Sequence, residues 1–217
     1  MTYPPRIVVF LPLLLSIFCS TYSSAQKAMR LKWTSSGVFT VGIRTGLVFS
    51  SDNSGWNIGQ GMGLQARIMA TSHINTEWYF EYFHGGYTSQ GVRTDGHIGG
   101  LVLLYPQHRL QRVAPFLAVG PNADYLKLRE RINKKNFVSR WSLAANSGIG
   151  MHINLTRRSD MTITTMYMLH FGQELILPLE DASVITIPRS GSGTDGHFIV
   201  NISFNYKIAD LWKRLKF

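Results

Sequence analysis

Cysteine is nearly missing from this chain of 217 residues: the single one, Cys19, lies in an apolar stretch near the start. No disulfide framework and no cysteine-based metal site can form beyond it. Acidic residues are also few, 12 against 22 Lys and Arg, for a formal charge of +10. After the first 25 residues there is no apolar run approaching the ~18 residues of a membrane helix. Any insertion into a bilayer must then use a closed β-barrel, because helices and closed barrels alone satisfy their backbone in lipid. Metal-ligand spacings, a phosphate-binding loop and a nucleophile elbow are absent too.

What is present begins with a leader. Arg6 is followed by the apolar stretch Ile7–Phe18, and Ser23-Ser24-Ala25 supplies small residues at −3 and −1. Residues 1–25 are expected to be a signal peptide cleaved before Gln26. Lipidation at Cys19 is disfavoured by Phe18, which stands where a lipobox wants a small residue. Without the leader, which carries one Arg and no acid, the charge is +9. An exported chain rarely meets nucleic acid. Anionic lipid or lipopolysaccharide phosphate is the more natural partner, with a set of merely solvated basic loops as the alternative. Export without disulfides points to the envelope of a Gram-negative cell.

The remainder alternates with a period of two, the signature of strands. In Ser142–Leu155, Leu143, Ala145, Ile149, Met151 and Ile153 share one side, while Ser142, Asn146, Gly148, Gly150 and His152 share the other. One face is apolar and the opposite face is small and polar, as in a transmembrane barrel with a polar lumen. The same pattern recurs in stretches near 37–50, 56–70, 76–87, 115–128, 161–171 and 197–206. A stretch near 96–105 is apolar on both faces and leaves its phase open. The reading is all-β: an eight-stranded antiparallel transmembrane β-barrel over residues 26–206. Short connections are expected after the second, fourth and sixth strands, and longer ones after the others. Residues 175–179 and 184–187 read as a hairpin within the longest connection. The tail 207–217 changes period: Ile208, Leu211, Trp212 and Leu215 among Lys207, Lys213, Arg214 and Lys216 suggest a basic amphipathic helix at the periplasmic interface.

The inward positions include Arg44, Arg67, Glu77, Glu81, Asp124, His152 and His170. An eight-stranded barrel has an interior just wide enough for side chains to fill. These residues are expected to form a paired polar network there, since a lone buried charge is costly. A narrow solute channel is the alternative. Lys127, Arg129, Arg131, Lys134, Lys135 and Arg140 lie in one basic loop and could meet lipopolysaccharide phosphates. Thr94-Asp95-Gly96-His97 recurs as Thr194-Asp195-Gly196-His197. Each copy could simply start a strand after a loop. Each could instead set an Asp/His general-base pair at the barrel rim, as in membrane-embedded proteases.

The leader, the first strand GIRTGLVFSS (Gly42–Ser51) and the closing strand HFIVNISFNY (His197–Tyr206) together resemble the small outer-membrane β-barrel domain proteins, the OmpA/OmpX-like and PorT-like group common in Bacteroidota. The aromatic end of the closing strand resembles the signal read by the barrel assembly machinery. The resemblance implies fold and location and carries over no catalytic residue. The His-x-Ser pair of barrel lipid A deacylases is missing: His152 precedes Ile153-Asn154, and His170 precedes Phe171-Gly172. The expectation is a non-enzymatic structural, adhesion or envelope-assembly role through extracellular loops and an envelope protein partner. It calls for no cofactor and no metal. A channel is second and a rim hydrolase third.

Overall fold

A computed structural model describes residues 36–52, 55–87, 91–107, 111–171, 176–178, 184–186 and 194–212. The signal-peptide reading, residues 213–217 of the tail, and Leu175, Leu179 and Ile187 of the hairpin pieces fall outside them. Within them the chain forms β1 (Val38–Asp52), β2 (Gly55–Met69), β3 (Ile74–Tyr87), β4 (Gly91–Leu104), β5 (Val113–Glu130), β6 (Phe137–Asn154), β7 (Ser159–Phe171), β8 (Ile176–Pro178), β9 (Val184–Thr186) and β10 (Thr194–Asp210). Eight of these close an antiparallel barrel in the order β1-β10-β7-β6-β5-β4-β3-β2, and β8 and β9 pair as a separate two-stranded sheet. The described residues include no helix.

Alternation decides which way each strand faces. Ile43, Leu64, Met62, Leu143 and Ile149 are each at least 60% exposed on the outer wall. Their chain neighbours Arg44, Gln65 and Ala144 are buried inside. This inverts the usual arrangement of a protein in water, where large apolar side chains turn inward. The interior is filled rather than open. Tyr79, Leu101, Leu103, Tyr105, Phe116 and Met166 belong to one buried apolar cluster. Val48, Phe83, Ala144, Met168 and Ile199 form another.

Several expectations need correction. The strand expected near 96–105 starts five residues earlier: β4 begins at Gly91 and carries Arg93, Asp95 and His97 inward. The sequence hides the phase of this strand because Leu101, Leu103 and Tyr105, also inward, pack into an apolar part of the lumen rather than against polar groups, so both faces read alike. The basic stretch after Tyr125 is mostly strand: β5 runs to Glu130 and β6 starts at Phe137. The alternation of short and long connections also fails. Only residues 53–54 separate β1 from β2, and only 88–90 separate β3 from β4, whereas 105–112 lie between β4 and β5. The strands themselves extend past the apolar band, consuming residues that composition assigned to loops.

The tail differs too. Lys207 to Asp210 continue β10, with Val38 opposite Asp210 and one irregularity between Phe39 and Thr40. Lys207 is buried and its Nζ donates to Asn154 Oδ1 at 3.4 Å. Ladder bonds to β1 outweigh a helix so short that its nucleation alone is unfavourable. Gly37 ties the start of β1 to the ends of β2 and β10 at this point. It has φ of +84°, a conformation glycine adopts at no steric cost. Its N–H donates to Met69 O at 2.7 Å, and its carbonyl accepts from Leu211 N–H at 2.6 Å.

Candidate functional site

Inward positions on adjacent strands line up across the barrel wall. One row runs Arg44, Gly63, Glu81, His97, Asp124, Ser142 over β1 to β6. Arg44 Nε lies 2.6 Å from Glu81 Oε1, reaching past Gly63 on the strand between them. A Cβ on Gly63 would collide first with the backbone carbonyl oxygen of Phe80 and would also sit 2.9 Å from both Cα and Cγ of Glu81. The glycine makes room for that ion pair. Gly63→Val should therefore lower stability by about 1–3 kcal/mol, the usual range for overpacking. Urea titration of the refolded barrel measures it, and an unmoved midpoint would show that the pair tolerates bulk beneath it.

Around His97 the row meets residues from the far wall. His97 Nε2 is 3.2 Å from Asp124 Oδ1, and its Nδ1 is 3.9 Å from Glu81 Oε2. His170 Nδ1 is 3.2 Å from Asp124 Oδ2, and His170 Nε2 is 3.0 Å from His197 Nδ1. The rings of His97 and His197 stack with centroids 5.6 Å apart. β4 and β10 stand opposite each other, with three strands between them either way round. The lumen is thus so narrow here that imidazoles from opposite walls touch. Phe83 flanks His97 with ring centroids 5.3 Å apart. Asp95 is held by Arg93, with Nη2 to Oδ1 at 2.9 Å and Nε donating to Oδ2 at 2.9 Å.

A second polar cluster occupies the end nearer Gly37. Arg67 Nη2 lies 2.8 Å from Glu77 Oε2 and Nη1 lies 3.4 Å from Asp160 Oδ1. His152 lies between Tyr105 Oη at 2.5 Å and Thr162 Oγ1 at 2.6 Å. Asn205 Nδ2 donates to Asp160 Oδ1 at 2.9 Å. Arg44 links the clusters, its Nη1 3.4 Å from Glu77 Oε1 and its guanidinium 4.4 Å from the Tyr79 ring centroid. Tyr79 Oη also accepts from Asn146 Nδ2. Ionic and hydrogen-bonding groups form a continuous column, walled by the apolar clusters.

All seven inward candidates are buried in the lumen. Arg67, Glu77 and His152 belong to the end cluster, Asp124 and His170 to the histidine cluster, and Arg44 and Glu81 to the row between. Arg93, Asp95, His97, Asp160 and His197 join this network without having been expected in it. Alternation carried into β4 would have exposed Arg93, Asp95 and His97 as one inward series. The rim arrangement is overturned for Asp95 and His97: both lie within β4 and are buried, and Asp95 is engaged by Arg93. The Asp-Gly there does not open a strand either. His197 faces inward near the start of β10.

The basic set divides. Lys127 and Arg129 lie on the outer wall, with Lys127 Nζ 4.1 Å from the Phe137 ring centroid. Arg131, Lys134 and Lys135 are exposed in the turn 131–136. Arg140 falls on the inward series with Ser142, opposite Leu126, and so leaves the outward surface. Arg131 borders an outer-wall groove with Leu47, Ile58, Gly59 and Gly85.

No protein-family model matches the chain, and no curated protein sequence matches it. Solved structures do. The Neisserial surface protein A is 10% identical with a TM-score of 0.60, covering 78% of this chain and 97% of that one. A major outer membrane protein from Thermus thermophilus is 8% identical with a TM-score of 0.53, covering 78% of this chain and 99% of that one. The likeness is one of fold, a small outer-membrane β-barrel.

Proposed function

We propose that this chain is an outer-membrane β-barrel protein of a Gram-negative cell, with a non-enzymatic structural, adhesion or envelope-assembly role. In this reading the hairpins and loops at the end away from Gly37 form its contact surface, and the PorT-like and OmpA/OmpX-like resemblance is one of architecture. The observation that carries it is the combination of an apolar outer wall with an interior filled along its length. Phe83, Met168 and Ile199 sit with the histidine cluster, and Met69, Leu103 and Arg67 fill the other end, each no more than 1% exposed. Apolar outer walls match lipid. A plugged lumen favours contact over transport, because the buried side chains packed across the described part of the barrel fill the path a solute would take.

The groove beside Arg131 supports a contact with anionic lipid headgroups. Its apolar side is supplied by Leu47 and Ile58, and a guanidinium edges it. Arginine is suited to phosphate through its planar fork of donors. Lys127, Arg129, Lys134 and Lys135 lie along the same hairpin and extend the basic surface.

Conductance across a planar bilayer tests the reading. The refolded protein, residues 26–217, should migrate as a heat-modifiable folded species and give no discrete, reproducible channel events. Such events, abolished or altered by Arg44→Ala or Glu81→Ala, would overturn it in favour of a solute channel.

A further inference from the structure

We propose that Asp95, His97 and Asp124 bind a divalent transition-metal ion of the Zn2+ type inside the barrel, with His170 supporting Asp124 from behind. Each of the three residues presents one ligand atom, and those atoms lie within 4.8 Å of one another. All three are buried, His97 at 0%, Asp124 at 1% and Asp95 at 2% exposure. One imidazole with two carboxylates is a donor set for zinc and its neighbours, which accept nitrogen and oxygen together. Calcium and magnesium favour all-oxygen shells instead.

The second observation is independent of ligand type. Both ring nitrogens of His97, Asp124 Oδ1, His170 Nδ1, His197 Nε2 and Glu81 Oε2 are buried without a properly aligned hydrogen bond. They gather at this one level of the lumen. Their contacts at 3.2 to 3.9 Å are near enough to attract but do not satisfy donor and acceptor directions. Buried polar atoms left unmatched each cost free energy, and a cation between His97, Asp124 and Asp95 would satisfy several at once. The surroundings have the form that orients metal ligands. Ser142 Oγ donates to Asp124 Oδ2 at 3.3 Å and His170 Nδ1 lies 3.2 Å from the same oxygen, so groups behind the carboxylate hold it toward His97. Arg93 anchors Asp95, with Nη2 and Nε both reaching Oδ1 and Nε also reaching Oδ2, so Oδ2 is the oxygen that retains a lone pair for an ion. His197, 3.0 Å from His170 and stacked on His97, closes the far side.

The test uses the refolded barrel stripped with chelator, then titrated with Zn2+ by calorimetry and with Co2+ by visible absorption. One equivalent of Zn2+ should bind, and Co2+ should give the intense bands of a low-coordinate histidine and carboxylate site. His97→Gln and Asp124→Asn should each weaken binding by at least about 100-fold, and His170→Gln, a supporting change, by about 10- to 100-fold. His84→Gln, on the outer wall and away from the cluster, should leave it unchanged. A folded wild-type barrel that binds no Zn2+ overturns the proposal. So does binding that survives in His97→Gln and Asp124→Asn, or that is lost in His84→Gln. If both ligand variants fail to fold, the wild-type Co2+ spectrum decides: intense bands support the site, and the weak spectrum of hydrated ion overturns it.

Discussion

Arg67→Leu is expected to destabilise the folded barrel by about 3–5 kcal/mol, the cost of removing one partner from a buried ionic group. Arg67 is 1% exposed and lies between Glu77 and Asp160, on β3 and β7. Without it, Glu77 retains Arg44 at 3.4 Å and Asp160 retains Asn205 at 2.9 Å. Neither replaces the two contacts from Arg67 to Glu77 at 2.8 and 3.0 Å. Unfolding in urea, followed by the fluorescence of Trp78 and Trp141 on the outer wall, measures the loss. The double variant Arg67→Leu with Glu77→Gln should recover part of it, because one stranded charge is gone. Equal loss in single and double variants would show that Arg67 acts through packing rather than through its charge.

Leu64→Arg should cost about 2–4 kcal/mol in lipid bilayers, the penalty for a cation at the midplane of a barrel's lipid-facing wall. Leu64 is 62% exposed, between Ile43 at 60% and Phe80 at 49% in the same row. On a surface bathed in water the same substitution would be close to neutral, within about 0.5 kcal/mol. The measurement is the folded fraction in vesicles across a urea series. A neutral result would contradict the membrane reading, since no other environment makes an exposed leucine that sensitive to charge. The effect should shrink for the same change at Ile58, nearer one end of the apolar band, because the penalty depends on depth.

Much of this was legible in the sequence, and the reason is physical. Where one face meets a medium of uniform polarity, a period of two survives in the residues, as in β6 and in the run from Phe198 to Tyr206. The signal fails where the interior itself turns apolar. Leu101, Leu103 and Tyr105 make β4 look the same on both faces, and His97 goes unassigned with it. Asp95-Gly96 adds to that, since the pair is turn chemistry in isolation but here forms part of a strand. The tail fails for a different reason. Ile208, Leu211 and Trp212 fit a helical period, yet ladder bonding to β1 through Asp210 is a property of the closed sheet that no local pattern contains. The meeting of His97 with His197 is of the same kind. Their shared Thr-Asp-Gly-His context is visible, but their contact depends on barrel diameter.

The seam between β1 and β10 has a kinetic consequence. Every other ladder in the barrel joins strands that follow one another along the chain within the barrel sheet, while the seam joins Val38 to Asp210 and Ser50 to His197. Loop-closure entropy must be met before those distant contacts return anything, and non-local pairing slows folding. The seam is thus expected to zip last, from a curled sheet whose two free edges are β1 and β10. Until that moment both edges carry unsatisfied backbone donors and acceptors, the template by which sheets aggregate. Speed of closure, rather than the final stability of the barrel, then governs how much of the chain escapes aggregation during assembly.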